Sequence, residues 1–186
     1  MTARHLVPGL MIVALGMTVG TGAAYAQVVP AADVSFVYSF LGDADETLPV
    51  GFFGDVGVSV TDKLQIVGEV ARHMGTATEF GIDVDLSETS FLVGPRFVSR
   101  NDSATGYFQA LVGGANLSGD VNTAGFDVGV SVTAFVLQVG GGAVVPISDN
   151  VGFKFSADYQ WLNSDEFGSG GQYKVSAGVS FALGAR

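Results

Sequence analysis

The sequence predicts an all-β chain, an eight-stranded antiparallel up-and-down transmembrane β-barrel preceded by a cleavable signal peptide. Three observations carry this reading. Apolar and polar residues alternate with period two in segment after segment, the signature of strands with one apolar face. Glycine is abundant (27 of 186 residues), and helix-type periodicity is absent after residue 26. The alternating segments number eight, and their connections alternate between short and long. Residues 151–161 are the clearest case. Val151, Phe153, Phe155, Ala157, Tyr159 and Trp161 form one face; Gly152, Lys154, Ser156, Asp158 and Gln160 form the other.

Residues 1–26 read as a signal peptide. Arg4 and His5 make a short basic start, Leu6 to Val19 is mostly apolar, and Ala24-Tyr25-Ala26 fits a small-x-small cleavage site. A membrane anchor is the alternative, but the apolar run falls short of the roughly 20 residues a spanning helix needs. No later segment is a candidate transmembrane helix. The remainder, 27–186, reads as one barrel domain with its strands within about 33–184. The chain has 18 acidic residues against 8 Lys plus Arg, a net charge of −10, and loss of Arg4 with the signal leaves −11. Such a charge argues against a nucleic-acid partner, which needs a basic surface. With no cysteine, the domain relies on packing and backbone pairing rather than disulfides.

The strands are expected in order as follows. The first, 33–41, turns Val34, Phe36, Tyr38 and Phe40 to one face. The second, 50–60, turns Phe52, Val56, Val58 and Val60, and the third, 64–74, turns Leu64, Ile66 and Val70. The fourth, 88–99, carries Phe91, Val93, Pro95 and Phe97; the proline cannot donate to a ladder, so a bulge or a local gap in pairing is expected. The fifth, 105–116, is ambiguous in phase, and an inward Gln109 would turn Phe108, Ala110 and Val112 outward. The sixth ends near 145 and carries Phe135, Leu137 and Val139. Its upstream part, Val128, Val130 and Val132, has the opposite parity, and a bulge near Thr133-Ala134 would reconcile the two. The seventh is 151–161. The eighth, 172–183, carries Tyr173, Val175, Ala177, Val179, Phe181 and Leu183.

Connections at 61–63, 100–104 and 146–150 are short, and those at 42–49, 75–87, 117–127 and 163–171 are long, the pattern of outer-membrane barrels. Strands of about 9–12 residues suit a tilted bilayer crossing. Aromatic residues of the apolar face sort by height. Phe40, Phe52, Phe91, Phe135, Tyr159, Trp161 and Tyr173 lie toward the long connections; Phe97, Phe153, Phe181 and one of Tyr107 or Phe108 lie toward the short ones. Two such belts fit lipid outside; a lipocalin-type barrel would put its apolar face inside.

Three segments, Phe91 to Phe97 (FLVGPRF), Gly140 to Val151 (GGGAVVPISDNV) and Tyr173 to Leu183 (YKVSAGVSFAL), give the chain a resemblance to the small eight-stranded OmpA/OmpX-like outer membrane protein beta-barrel family. The resemblance spans about 33–184. It implies a location in the bacterial outer membrane and contact with outer-membrane lipid and lipopolysaccharide. It also implies insertion by the β-barrel assembly machinery, with the last strand resembling the family's C-terminal assembly signal. Family members end on an aromatic residue, whereas this chain runs on through Gly184-Ala185-Arg186. No peptidoglycan-binding segment is expected after the last strand.

With the apolar face outside, Asp55, Glu69, Arg96, Gln109, Gln138, Lys154, Asp158, Gln160 and Lys174 line a lumen that is just wide enough to be filled by side chains. Charges there must pair. The expected pairs are Asp158 with Lys174 across strands seven and eight, and Glu69 with Arg96 across three and four. These residues make either a structural ion-pair plug or, as the resemblance allows, a gated narrow pore for small solutes. Arg72 falls outward by parity and is expected at the upper rim, where lipopolysaccharide phosphates would accept it. The long connections are acidic: Asp43, Asp45 and Glu46; Glu79, Asp83 and Asp85; Asp120 and Asp127; Asp165 and Glu166. Asp83-Val-Asp85 lacks the ligand order of a calcium loop, so no metal is expected. His73, read as a rim residue, has no adjacent serine in sequence, although Ser87 and Ser90 lie on the next strand. Lipid A-modifying enzymes occur on such barrels, but a nucleophile, an oriented base and an oxyanion hole are all required. No catalytic residue and no cofactor is expected. Gly140-Gly141-Gly142 precedes no helix, so it is read as allowing curvature or close packing rather than as a phosphate loop. The function expected is that of a porin-like integral barrel with a structural or surface-interaction role, its extracellular partner unspecified.

Overall fold

The computed structural model describes residues 30–42, 47–79, 82–101, 103–123, 126–164 and 168–185, with the backbone alone at 47, 77–79, 82–84, 120–123, 126–130 and 185. The expected signal peptide, the side chains at Val128 and Val130, and every acidic side chain named for the long connections except Asp85 lie outside the described residues.

Eight strands follow one another: β1 (Pro30–Gly42), β2 (Thr47–Thr61), β3 (Leu64–Glu79), β4 (Ile82–Arg100), β5 (Thr105–Thr123), β6 (Phe126–Pro146), β7 (Val151–Ser164) and β8 (Gly168–Ala185). Each pairs antiparallel with the next, and β8 closes on β1 from Pro30–Ala185 to Gly42–Tyr173. Closure leaves no strand edge through this part of the wall, which removes the unpaired N–H and C=O groups that lipid cannot satisfy. The short turns are held locally. Asn101 Oδ1 accepts from the backbone N–H of Ser103 (3.0 Å) and Ala104 (2.9 Å), an Asx turn that joins β4 to β5.

The long connections are mostly not loops. The β3–β4 ladder continues to Glu79–Ile82, and the β5–β6 ladder continues to Thr123–Phe126. Residues 75–79, 82–87, 117–123 and 126–127 are therefore paired ends of hairpins. Alternation there is blurred by glycine, threonine and aspartate, which suit a hairpin wetted on both faces. That blurring is why their strand character is invisible to periodicity.

The expected bulge near Thr133-Ala134 does not form. β5 and β6 keep one register from Thr105–Val144 to Thr123–Phe126, and Val132 stays inward and buried beside Ala134 and Val136. The parity break at Val132 marks an apolar lumen position, not a slipped strand. At Pro95 the β4–β5 ladder passes from Val93–Val112 to Arg96–Gln109 without a change of register, skipping Gly94 and Pro95; this is a local gap in pairing. In β5, Gln109 is buried and Phe108 exposed, so Tyr107 points into the lumen and Phe108 joins the lower belt.

The molecule is apolar outside and polar inside. Phe91 is 61 % exposed and Phe97 56 %, whereas Lys174 and Gln160 are 0 % exposed. All seven aromatics of the upper belt and Phe97, Phe108, Phe153 and Phe181 of the lower belt face outward. Tyr38 packs edge-on against Phe52 and Tyr159 against Tyr173, cross-strand contacts that stiffen the upper belt. The lumen also holds two apolar patches. Val67, Leu92, Leu111, Ala115 and Val136 form one; Val37, Phe53 and Ala71 form the other.

Candidate functional site in the lumen

Strand pleating turns every second residue inward, so each lumen side chain is placed by parity and each neighbour by register. Three arrangements result.

Toward the short turns, Arg96 on β4 is the hub. Its Nη2 donates to Asp55 Oδ2 (2.9 Å), its Nη1 to Asp33 Oδ1 (3.4 Å) and its Nε to Gln109 Oε1 (3.0 Å). The guanidinium lies 4.7 Å from the centroid of the Tyr107 ring. Lys154 on β7 reaches across the lumen to the same Asp55 Oδ2, and also donates to Ser35 Oγ at 3.2 Å. Gln65 Nε2 donates to Asp33 Oδ2 at 2.5 Å. Two cations and two carboxylates, Asp33 half-buried and the other three buried, are thus joined in one network whose formal charges cancel.

Toward the hairpins, Lys174 on β8 is paired with Glu69 on β3, and donates to Gln138 Oε1 at 2.9 Å. An amide relay continues from there: Gln160 Nε2 donates to Gln138 Oε1 (2.7 Å), and Gln172 Nε2 donates to Gln160 Oε1 (2.8 Å) and Glu88 Oε2 (2.9 Å). The Lys174 ammonium also sits 4.5 Å from the Phe53 ring centroid.

The third arrangement is a row running sideways over four strands: Ser39 on β1, Gly51 on β2, His73 on β3 and Glu88 on β4 are successive register partners. Ser39 Oγ and His73 Nε2 are 2.7 Å apart. Gly51 permits this, because a Cβ there would stand 2.1 Å from His73 Cδ2.

Glu69, Arg96, Lys154, Asp158 and Lys174 are all buried in the lumen, but neither expected pairing forms. Asp158 and Lys174 are register partners, as expected. The long lysine side chain nevertheless crosses the narrow barrel to Glu69, while the short Asp158 takes Gln109 Nε2 at 3.0 Å. Glu69 and Arg96 lie on adjacent strands but pair with Leu92 and Gln65 respectively. That offset of four residues is about 13 Å along a strand, so Arg96 turns instead to Asp55 and Asp33. His73 is not a rim residue: it shares parity with Glu69 and is fully buried. Its position next to outward Arg72 was the sequence signal for this. Ser39, Glu88, Asp33, Gln65 and Gln172 were also missed. They sit near strand ends, where lumen and loop cannot be told apart by composition. Arg72 is exposed on the outer face between Phe52 and Thr89, level with a member of the upper belt. Gly140 permits close packing, since a Cβ there would stand 2.4 Å from Asp158 Oδ1. Among the described residues no group of three or more His, Cys, Asp or Glu could hold a metal ion.

An apolar, aromatic-belted exterior around a charged, closed interior is the polarity of a barrel solvated by lipid. The fold is that of the small eight-stranded outer-membrane β-barrels. Comparison with solved structures agrees on the fold. The attachment invasion locus protein Ail of Yersinia pestis, solved in complex with the heparin analogue sucrose octasulfate, is 21% identical with a TM-score of 0.55, over 81% of this chain and 96% of that one. Neisserial surface protein A is 15% identical with a TM-score of 0.59, over 82% of this chain and 96% of that one. No family model matches the sequence, and no curated protein matches it.

Proposed function

We propose that the chain is a structural or surface-interaction barrel that holds a tall hairpin sheet outside the membrane. One observation carries this reading. From the level of Phe91, Gly114 and Phe135 in the upper belt, β4, β5 and β6 continue for nine paired residues, to Ile82, Thr123 and Phe126, the last two of β4 pairing with β3 alone. Nine residues of strand are about 30 Å along the chain, well beyond what a bilayer crossing requires. The β1–β2 ladder, by contrast, ends at Gly42–Thr47, just past Phe40.

The chemistry of the partner follows from charge. Segments 75–87 and 117–127 contain Glu79, Asp83, Asp85, Asp120 and Asp127, with no Lys or Arg. Ail was solved with a polyanion; these hairpins would repel one and favour a cationic surface or peptide. Replacing 77–84 and 121–128 with two-residue turns is expected to leave a heat-modifiable, surface-located barrel that no longer binds a cationic partner or supports cell-surface attachment. Unchanged attachment would overturn the reading.

The alternative of a narrow channel draws on the polar lumen, but the buried Lys154, Lys174, Gln109, Gln138 and Gln160 fill it with paired side chains. Planar-bilayer recordings decide the matter: steady openings in the wild type, changed in Lys174→Ala, would favour the channel. A lipid A-modifying role would have the Ser39–His73 pair to draw on, but both side chains are buried in the lumen, away from the outer face of the barrel.

A further inference from the structure

Arg96, Lys154 and Lys174 are the buried cations of the lumen among the described residues, and all three are engaged. Arg96 and Lys154 neutralise Asp33 and Asp55, and Lys174 neutralises Glu69. Two buried carboxylates are left over, Glu88 and Asp158. Each receives one amide donor, Gln172 on Glu88 Oε2 (2.9 Å) and Gln109 on Asp158 Oδ1 (3.0 Å). An amide satisfies a lone pair but supplies no charge, and an unmatched buried carboxylate is costly.

The second oxygen of each is the independent observation. Glu88 Oε1 and Asp158 Oδ2 are buried without a donor, and Glu88 and Asp158 are only 1 % and 4 % exposed. Each has a further orphaned oxygen nearby in the fold. Ser90 Oγ, two residues along β4 on the same inward face as Glu88, is buried and unpartnered, and so is the Tyr107 hydroxyl on β5, which lies across β6 from Ser156, two residues along β7 from Asp158. Of the other titratable neighbours, His73, the register partner of Glu88, has a buried and unpartnered Nδ1 but makes no hydrogen bond to Glu88, and Lys174, the register partner of Asp158, is held by Glu69.

We propose that Glu88 and Asp158 are two stations for a small alkali cation inside the barrel. Carboxylate and hydroxyl oxygens are the donor set that hard cations select, and each ion would supply the charge that the protein leaves out. A cation as large as choline would not enter a lumen so filled.

The test uses the purified, folded barrel in detergent near pH 8, where ordinary carboxyls are ionised. Loss of the heat-modifiable form is timed at equal ionic strength in sodium, potassium and choline chloride. Unfolding is expected to be about ninefold slower in an alkali salt at twice the dissociation constant of both stations, because each ion bound to the folded state alone contributes a factor of about three. E88Q/D158N is expected to abolish the difference and to unfold in choline as slowly as the wild type does in sodium. Sodium-23 line broadening by the wild type, reduced in each of the single variants E88Q and D158N, keeps the idea testable if the double variant does not fold. Equal rates in all three salts would overturn the proposal. So would a wild type that already unfolds in choline near pH 8 as slowly as E88Q/D158N does, since the two carboxyls would then be neutral without an ion.

Discussion

Ser39 Oγ lies 2.7 Å from His73 Nε2 although a whole strand, β2, separates their backbones. Gly51 is the reason: with no Cβ on β2, the imidazole lies flat over that strand and reaches β1. The three residues form one unit, and they couple the first three strands inside the wall.

Gly51→Ala should therefore be destabilising despite the low cost of alanine in a strand. Its Cβ would overlap the imidazole, and overpacking of this kind costs about 1–3 kcal/mol. Gly51→Ala in a His73→Ser background should cost measurably less than the sum of the two single changes. Urea unfolding in lipid vesicles, read as a double-mutant cycle, checks this; strict additivity would refute the coupling.

Lys174→Met leaves Glu69 buried without its cation, and breaking a buried pair in this way costs about 3–5 kcal/mol. Lys174→Met with Glu69→Leu removes both charges and should recover most of that loss. The same unfolding assay distinguishes the two, and a double variant as unstable as the single would show that the pair is not the relevant partner.

A charge placed between the belts tests the lipid-facing assignment. Val93 is exposed on the outer face, and Val93→Lys should cost about 2–4 kcal/mol if it lies near the bilayer midplane. Ser99→Lys, exposed near the short-turn end, should cost no more than about 1 kcal/mol. Equal costs would contradict the depth ordering of the two belts.

Arg72 stands on the outer face beside Phe52. We expect Arg72→Ala to change stability by less than about 1 kcal/mol, because an arginine at an interface costs little, yet to weaken binding of purified lipopolysaccharide to the reconstituted barrel. Retained binding would leave Arg72 as a solvated rim residue.

Period-two patterning was sufficient for strand number, antiparallel order, the outward face and the two belts, because lipid demands an apolar side chain at every second position. Phe91, Phe97, Phe153 and Trp161 are legible one at a time. The lumen is less so. Val132 looked like a slip in phase because an apolar residue on the inner face is indistinguishable, in sequence, from an outer residue displaced by one. His73 looked like a rim residue because the membrane-spanning part of β3 has no marked end.

By itself, the sequence determined which side of each strand meets lipid, and hence the closed barrel with a charged interior. Only the tertiary structure decided which charges meet inside it. Parity and register are local, set by neighbours along and between strands. The pairing of Lys174 with Glu69, or of Lys154 and Arg96 with Asp55, spans the lumen between strands that are not neighbours in the sheet. Side-chain length and barrel diameter together choose those partners.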